Sequence, residues 1–418
     1  MSIRLMQTGA MLVDAYRELN SKRLFWITMV LSALVVAVFG MFGINERGLT
    51  FLHWEWPLPL FNSKTIPPSL FYRFAFVNIG VPIWLTWIAT SLALISTASI
   101  IPDFVAGGSI ELTLSRPISR LRLFLTKFFT GLLFVALQVA VFTLACFLVI
   151  AIRGGEIEWG IWMAVPIVVL FFSYLFSICA LVGLITRSTI ASLLVTLLCW
   201  VACFAVNVTD AVFIQQRAQA EISVLDNEKL VARRETQTRR VLRDAVERNQ
   251  PFPVAKEGED QLEVINPVLK FTRKELVESR IALADWEYWT SIGVAVKTFL
   301  PKTSETIGLL NRGLVSMEEL RKLGLIEDET VETDIPDDPT ITLDPKPDSK
   351  PDSKADGKPE AKQEPARRRR RGGPDPRATR IVEEHMRNRT TLWIIGTSLA
   401  FEAVILGIAC VIFVRRDF

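Results

Sequence analysis

Six long apolar runs govern what this 418-residue chain can fold into. They cover roughly residues 24–44, 76–101, 123–151, 161–186, 188–208 and 391–414. Each reaches the roughly 20 residues that a helix needs to cross a hydrocarbon core of about 30 Å. Hydrophobic residues make up 50% of the chain, and their gathering into runs excludes an ordinary soluble domain. The expected fold is an all-α polytopic membrane protein with six transmembrane helices. The first run follows Lys22 and Arg23 as a signal peptide would, but its apolar stretch is too long, and "FGMFGINERG" lacks a small-x-small cleavage site. It reads as a retained anchor.

Orientation follows from the short flanks. Arg4, Arg17, Lys22 and Arg23 precede the first run, and Arg116, Arg120, Arg122 and Lys127 follow the second. Arg187 follows the fourth, and Arg415 and Arg416 follow the last. The alternate loops are poorer, with Arg47, Lys64 and Arg73 in one and Arg153 in the other. Both termini are expected in the cytoplasm, in a cell (inner) membrane. Residues 209–390 then form a large extracytoplasmic insertion, whose Arg content does not weigh against this because long segments escape the charge bias.

Within that insertion, 209–334 is expected to be helical and 335–390 a disordered tether. Residues 210–250 read as a helix continuing the fifth run, and 269–284 as a second with one apolar face. Trp286, Tyr288 and Trp289 suit either a membrane interface or an apolar seam. A short helix is expected at 316–323, where Ser316 and Glu319 form a capping box and Gly324 ends it. The tether carries tandem PDSK and an "RRRRR" run. Its composition cannot build a core, and without interleaved aromatics the Arg run implies no nucleic acid.

Enzyme chemistry lacks material. The only Gly-Lys pair, Gly357-Lys358, is followed by Pro359, so no phosphate-cradling P-loop exists. The two histidines, His53 and His385, are far apart, and all five cysteines lie in apolar runs. No catalytic residue, metal ligand or cofactor is expected in this chain. Energy for vectorial work must come from a partner or an ion gradient.

The most informative polar stretch is "IPDFVAGGSIELTLSRPISRLRLFLTKF", residues 101–128. Gly107 and Gly108 break the second span, Ser109 can cap a new start, and Pro117 stops one helix and presets φ for the next. Arg120, Arg122 and Lys127 anchor the third span among headgroups. Upstream, "LMQTGAMLVDAYRELN" at 5–20 sets Leu12, Ala15, Tyr16 and Leu19 against Asp14, Arg17 and Glu18, an amphipathic helix on the inner surface.

This constellation resembles the permease subunits of ABC-2-type ABC transporters, most closely the branch containing copper-site-maturation and gliding-motility permeases. Gly108, Ser109, Glu111, Leu112, Leu114, Ser115, Pro117, Ile118, Ser119, Arg120, Lys127, Phe128 and Gly131 match the family's loop pattern; Thr113 stands where Leu is usual. The resemblance implies an exporter architecture: paired permeases, identical or paralogous, on a separate ATPase subunit that binds ATP and Mg. It makes the loop at 102–122, with Arg116 inside it, the element that couples to the ATPase. It makes residues 1–23 the connecting helix, carried by Leu12, Tyr16, Arg17 and Leu19. The domain plan is then 1–23, spans one to five over 24–208, the insertion over 209–334, the tether over 335–390, and 391–418 for span six and its tail.

Inside the spans, Glu402 must face a bundle interior or water, because a charged group there costs about 2.5 kcal/mol or more. It serves either translocation or a structural hydrogen bond. Asn78, Gln138 and Asn207 are expected to join helices, and Pro82 and Pro166 to kink theirs. A non-transporting scaffold or sensor acting through 209–390 is the competing reading, and an ion-gradient carrier centred on Glu402 a third.

Overall fold

The computed structural model describes residues 23–57, 62–63, 66–106, 119–314 and 375–415. Six helical segments within them are long and apolar enough to cross a membrane: Arg23–Met41, Pro68–Val105, Arg120–Gly154, Trp159–Thr186, Thr189–Glu247 and Thr391–Arg415. The expected helices 5–20 and 316–323, and most of the expected tether, lie outside the described residues.

Two compact units emerge. The first comprises residues 1–211, 293–326 and 385–418, and the second 212–292 and 327–384. In the first unit, α1 is Arg23–Met41. Three short strands follow, β1 (Phe42–Asn45), β2 (Gly48–Phe51) and β3 (Trp54–Pro57), paired antiparallel in that order. This sheet corrects the all-α expectation and cuts the first span back from residue 44 to 41.

The second span starts with α2 (Pro68–Ala75), whose leading Pro68 has no N–H to satisfy. It widens to π geometry over Phe76–Ala89 and returns to α in α3 (Thr90–Thr97) and α4 (Ile100–Ala106). Pro82 lies inside the wide part and cannot donate to the ladder. Thr86 Oγ1 donates to Val81 O at 3.0 Å and Thr90 Oγ1 to Leu85 O at 2.8 Å, serving carbonyls five residues back.

The third span is α5 (Arg120–Val149) with a π turn to Gly154, and Gly155 ends it at φ 75°. A 3₁₀ turn, Trp159–Met163, leads into α6 (Ala164–Thr186). Pro166 sits in the first turn of α6, just after the 3₁₀ turn. Arg187 (φ 54°) and Ser188 alone connect α6 to α7 (Thr189–Glu247), a 59-residue helix that carries the fifth span and continues past it.

Aromatic packing fills the first unit. Phe128 and Phe172 both stack on Phe176, at 5.3 and 5.5 Å between ring centroids. Gly131 lets this happen, since a Cβ there would lie 2.5 Å from the Phe176 ring.

The second unit contains the rest of α7, α8 (Gln261–Ile265) and most of α9 (Pro267–Thr298), which exceeds the expected 269–284. Asn266 joins two helices: its amide donates to Thr238 Oγ1 at 3.1 Å while its Oδ1 caps Val268 N at 3.2 Å. Arg273 reaches three carboxylates, Glu235, Asp260 and Glu263, at 2.6, 2.5 and 2.8 Å. Residues 376–388, expected within the tether, form α11 (Pro376–Asn388), with Ala378 buried against Ala218 and Ile222. Arg377 fixes it by two 2.8 Å bonds to Asp226.

Back in the first unit, Pro301 ends the helical run. α10 (Thr303–Leu314) then packs on α6, on the wide part of the second span and on the last span, α12 (Thr391–Arg415).

Candidate functional site

Of the residues expected to couple to an ATPase, Gly108, Ser109, Glu111, Leu112, Leu114, Ser115, Arg116 and Pro117 lie outside the described residues, as do Leu12, Tyr16, Arg17 and Leu19. Their flanks are well defined. Ser119 caps α5, accepting from Arg122 N at 3.4 Å, and Arg120 Nη1 donates to Val414 O at 3.4 Å near the end of the last span. Lys127 Nζ sits 5.8 Å from the centre of the Phe104 ring. Phe413 lies 6.3 Å from Phe104 and 5.4 Å from Phe124. The end of α4, the start of α5 and the end of α12 therefore meet around one aromatic cluster, and both ends of segment 107–118 start from it.

Glu402 is buried on α12. Its Oε2 accepts from Ser173 Oγ of α6 at 2.8 Å, so the carboxyl bridges two spans. Ser173 Oγ also lies 2.8 Å from Leu170 O, so its single proton is shared between these two acceptors. Tyr174, the next residue, is also fully buried, with its hydroxyl near Thr306 and Ser398. Asn207 joins helices as expected, donating to Cys203 O at 2.9 Å and to Thr303 Oγ1 at 3.3 Å. Asn78 instead bonds Phe74 O within its own helix, at 3.0 Å, and the Gln138 amide is buried with no partner among the described residues.

Sequence reasoning missed a buried charge cluster in the same unit. Lys297 Nζ lies 2.7 Å from Asp210 Oδ2 and 2.9 Å from Glu305 Oε1. Arg389 closes the ring, 3.1 Å from Asp210 Oδ2 and in contact with Glu305 Oε1. All four side chains are at most 8% exposed, so each charge relies on its partners rather than on water. Burial works to lower the Arg389 guanidinium's pKa, but Glu305 and Asp210 outweigh it and hold it above the ordinary value.

Lys302, also fully buried, stands beside this ring. Its backbone N–H donates to Ser398 Oγ at 3.0 Å, and its Nζ donates to Thr397 Oγ1 and to Lys297 O. The Trp393 ring lies 4.2 Å away. Burial pushes the Lys302 ammonium down to about 8, with Glu305 acting in the opposite sense. Arg312, at the other end of α10, donates to the carbonyls of Met386, Arg387 and Arg389. Both ends of α10 are thus fastened by buried or half-buried cations. Neither α10 nor its ion partners were read from the sequence, where 286–310 suggested only an interface or an apolar seam.

No family model, curated protein or solved structure matches this chain. Function therefore rests on the residues themselves. Among the described residues, no group of three His, Cys, Asp or Glu side chains could hold a metal ion.

Proposed function

We propose that this chain is the membrane-spanning permease subunit of an ABC-2-type transporter, working as an exporter with a separate ATPase subunit. The observation that supports this most directly is the anchorage of segment 107–118. Its two ends leave a junction of the second, third and last spans, made by Phe104, Phe124, Phe413, Arg120 and Lys127. A force applied to Glu111 or Arg116 would be delivered to three spans at once, which is what a coupling element needs. The loop motif carries the family reading, and the fastened α10 is a second rigid element against which the spans can move.

In this reading both termini and segment 107–118 face the cytoplasm of an inner-membrane protein. The partners are an ABC ATPase, which holds ATP and Mg, and a second permease copy or paralogue. The test is co-purification of the full chain with its ATPase, together with substrate-stimulated ATP hydrolysis. Glu111→Lys and Arg120→Glu should each dissociate or uncouple the complex. Normal assembly and normal transport-linked hydrolysis in both variants would refute the proposal.

A further inference from the structure

At the end of the first unit that carries the β-sheet, the first three spans part to leave a groove of about 480 Å³. Val35, Phe39, Phe71, Phe76, Ile79 and Phe142 line it, and Gly80 keeps its floor open. Apart from the weakly polar Cys146 thiol the lining side chains are apolar, so water entering it would find little to bond to. The helices that form it are of a length and composition to lie in a bilayer, where acyl chains are the solvent.

Arg153 stands beside this groove. Arg153 Nε donates to Tyr72 Oη at 2.8 Å, and Tyr72 Oη donates to the carbonyl of Phe42, a groove residue, at 2.7 Å. Gly43 makes room for the guanidinium, because a Cβ there would lie 2.7 Å from Arg153 Nη2. The neighbouring cations Arg73 and Arg47 are neutralised by Glu158 and Glu55, at 3.1 and 3.3 Å. Arg153 is exposed and makes no ion pair among the described residues. Its side chain is held in place by Tyr72 while its charge remains unmatched.

The geometry points to a binding site for an anionic phospholipid, with an acyl chain in the groove and the phosphate on the Arg153 guanidinium. A guanidinium suits a phosphate because its parallel N–H groups meet two oxygens at once. The apolar lining alone would accept any acyl chain. The Arg153 charge, unpaired among the described residues, is what favours a headgroup of net negative charge over a zwitterionic one, whose own ammonium competes for the phosphate.

The site is tested on the purified full-length chain without any ATPase, so the outcome is independent of the transporter reading. Delipidated protein is titrated with phosphatidylglycerol or phosphatidylcholine, and bound lipid is counted by native mass spectrometry. The wild type should retain one phosphatidylglycerol in preference to phosphatidylcholine. Arg153→Ala should weaken phosphatidylglycerol binding about tenfold, as loss of a charged hydrogen bond does, with partial rescue by Arg153→Lys. Gly80→Leu should expel both lipids by filling the groove.

Equal retention of the two lipids, or unchanged retention in folded Arg153→Ala and Gly80→Leu, would overturn the proposal. So would loss of self-association in Gly80→Leu with lipid binding intact, since a second copy would then cover the groove. A photoactivatable phosphatidylglycerol on the wild type gives a reading that needs no variant. Labelling within 71–80 and 142–146 supports the site, and labelling confined elsewhere overturns it.

Discussion

Lys297 and Asp210 meet at 2.7 Å in the protein interior, although 87 residues separate them in sequence. With Glu305 and Arg389 they fasten the start of α10 to α7 and to the approach of the last span. Breaking a buried pair leaves a charge that nothing compensates, at a cost of about 3–5 kcal/mol. Lys297→Met should lower the melting temperature of the reconstituted protein accordingly, and adding Asp210→Asn should recover part of the loss. Additive losses in the double variant would show that the two residues do not interact.

Lys302 sets a pH dependence. Its folded value of about 8 lies below the ordinary 10.5, so between those values the unfolded chain holds a proton that the folded chain has released. Stability from this group therefore rises as pH climbs from about 8 toward 10.5, and is flat and unfavourable below about 8. The difference between wild-type and Lys302→Met denaturation curves across that window should carry this slope. Parallel curves would rule out a depressed Lys302.

Gly131 predicts a packing defect. Any side chain there meets the Phe176 ring, which is itself stacked on Phe128 and Phe172. Gly131→Val should destabilise the protein by about 1–3 kcal/mol, and Phe176→Leu should restore part of it by making room. Thermal denaturation of the single and double variants decides this. A Gly131→Val protein as stable as wild type would contradict the close approach.

The Glu402 bridge separates a structural bond from a functional carboxyl. Ser173→Ala removes the hydroxyl that donates to Glu402 Oε2 and should cost about 1–3 kcal/mol, since the acceptor stays buried. Glu402→Gln keeps an oxygen in place and should cost less. If transport falls in Glu402→Gln while its melting temperature holds, the carboxyl serves more than the bridge.

The spans were legible because a bilayer demands length and apolarity together, and both can be read from consecutive residues. Boundaries were less so. The first apolar run continues through Phe42, Gly43 and Ile44, and only backbone pairing with Gly48–Phe51 reveals that they are a strand. Pro82 was readable as a disturbance, but the wide turns that absorb it depend on the hydroxyls of Thr86 and Thr90. Pro166 read the same way in sequence, but it stands in the first turn of α6, outside any stretch of wide turns.

The charge cluster was illegible for a different reason. Asp210, Lys297, Glu305 and Arg389 each look like solvated charges in a polar insertion, and Arg389 lies 179 residues from its partner Asp210. Glu402 was the opposite case: its place inside an apolar run announced a buried group, and Ser173 supplies one of the two roles expected of it. The residues proposed for coupling, within 107–118, were read by motif alone, and the described flanks, Ser119, Arg120 and Lys127, bear on them only from their two ends.

The wide stretch of the second span has a mechanical corollary. An α-helix turns about 100° per residue, so taking one residue out of the loose winding swivels everything beyond it by about that angle. Asp103 and Phe104 lie beyond it, at the threshold of segment 107–118. Because threonine hydroxyls already serve the slack carbonyls, such a ratchet needs no new polar partners along the way. Rewinding around Pro82 would therefore turn Phe104 about the axis of the span and leave the turns before Phe76 seated.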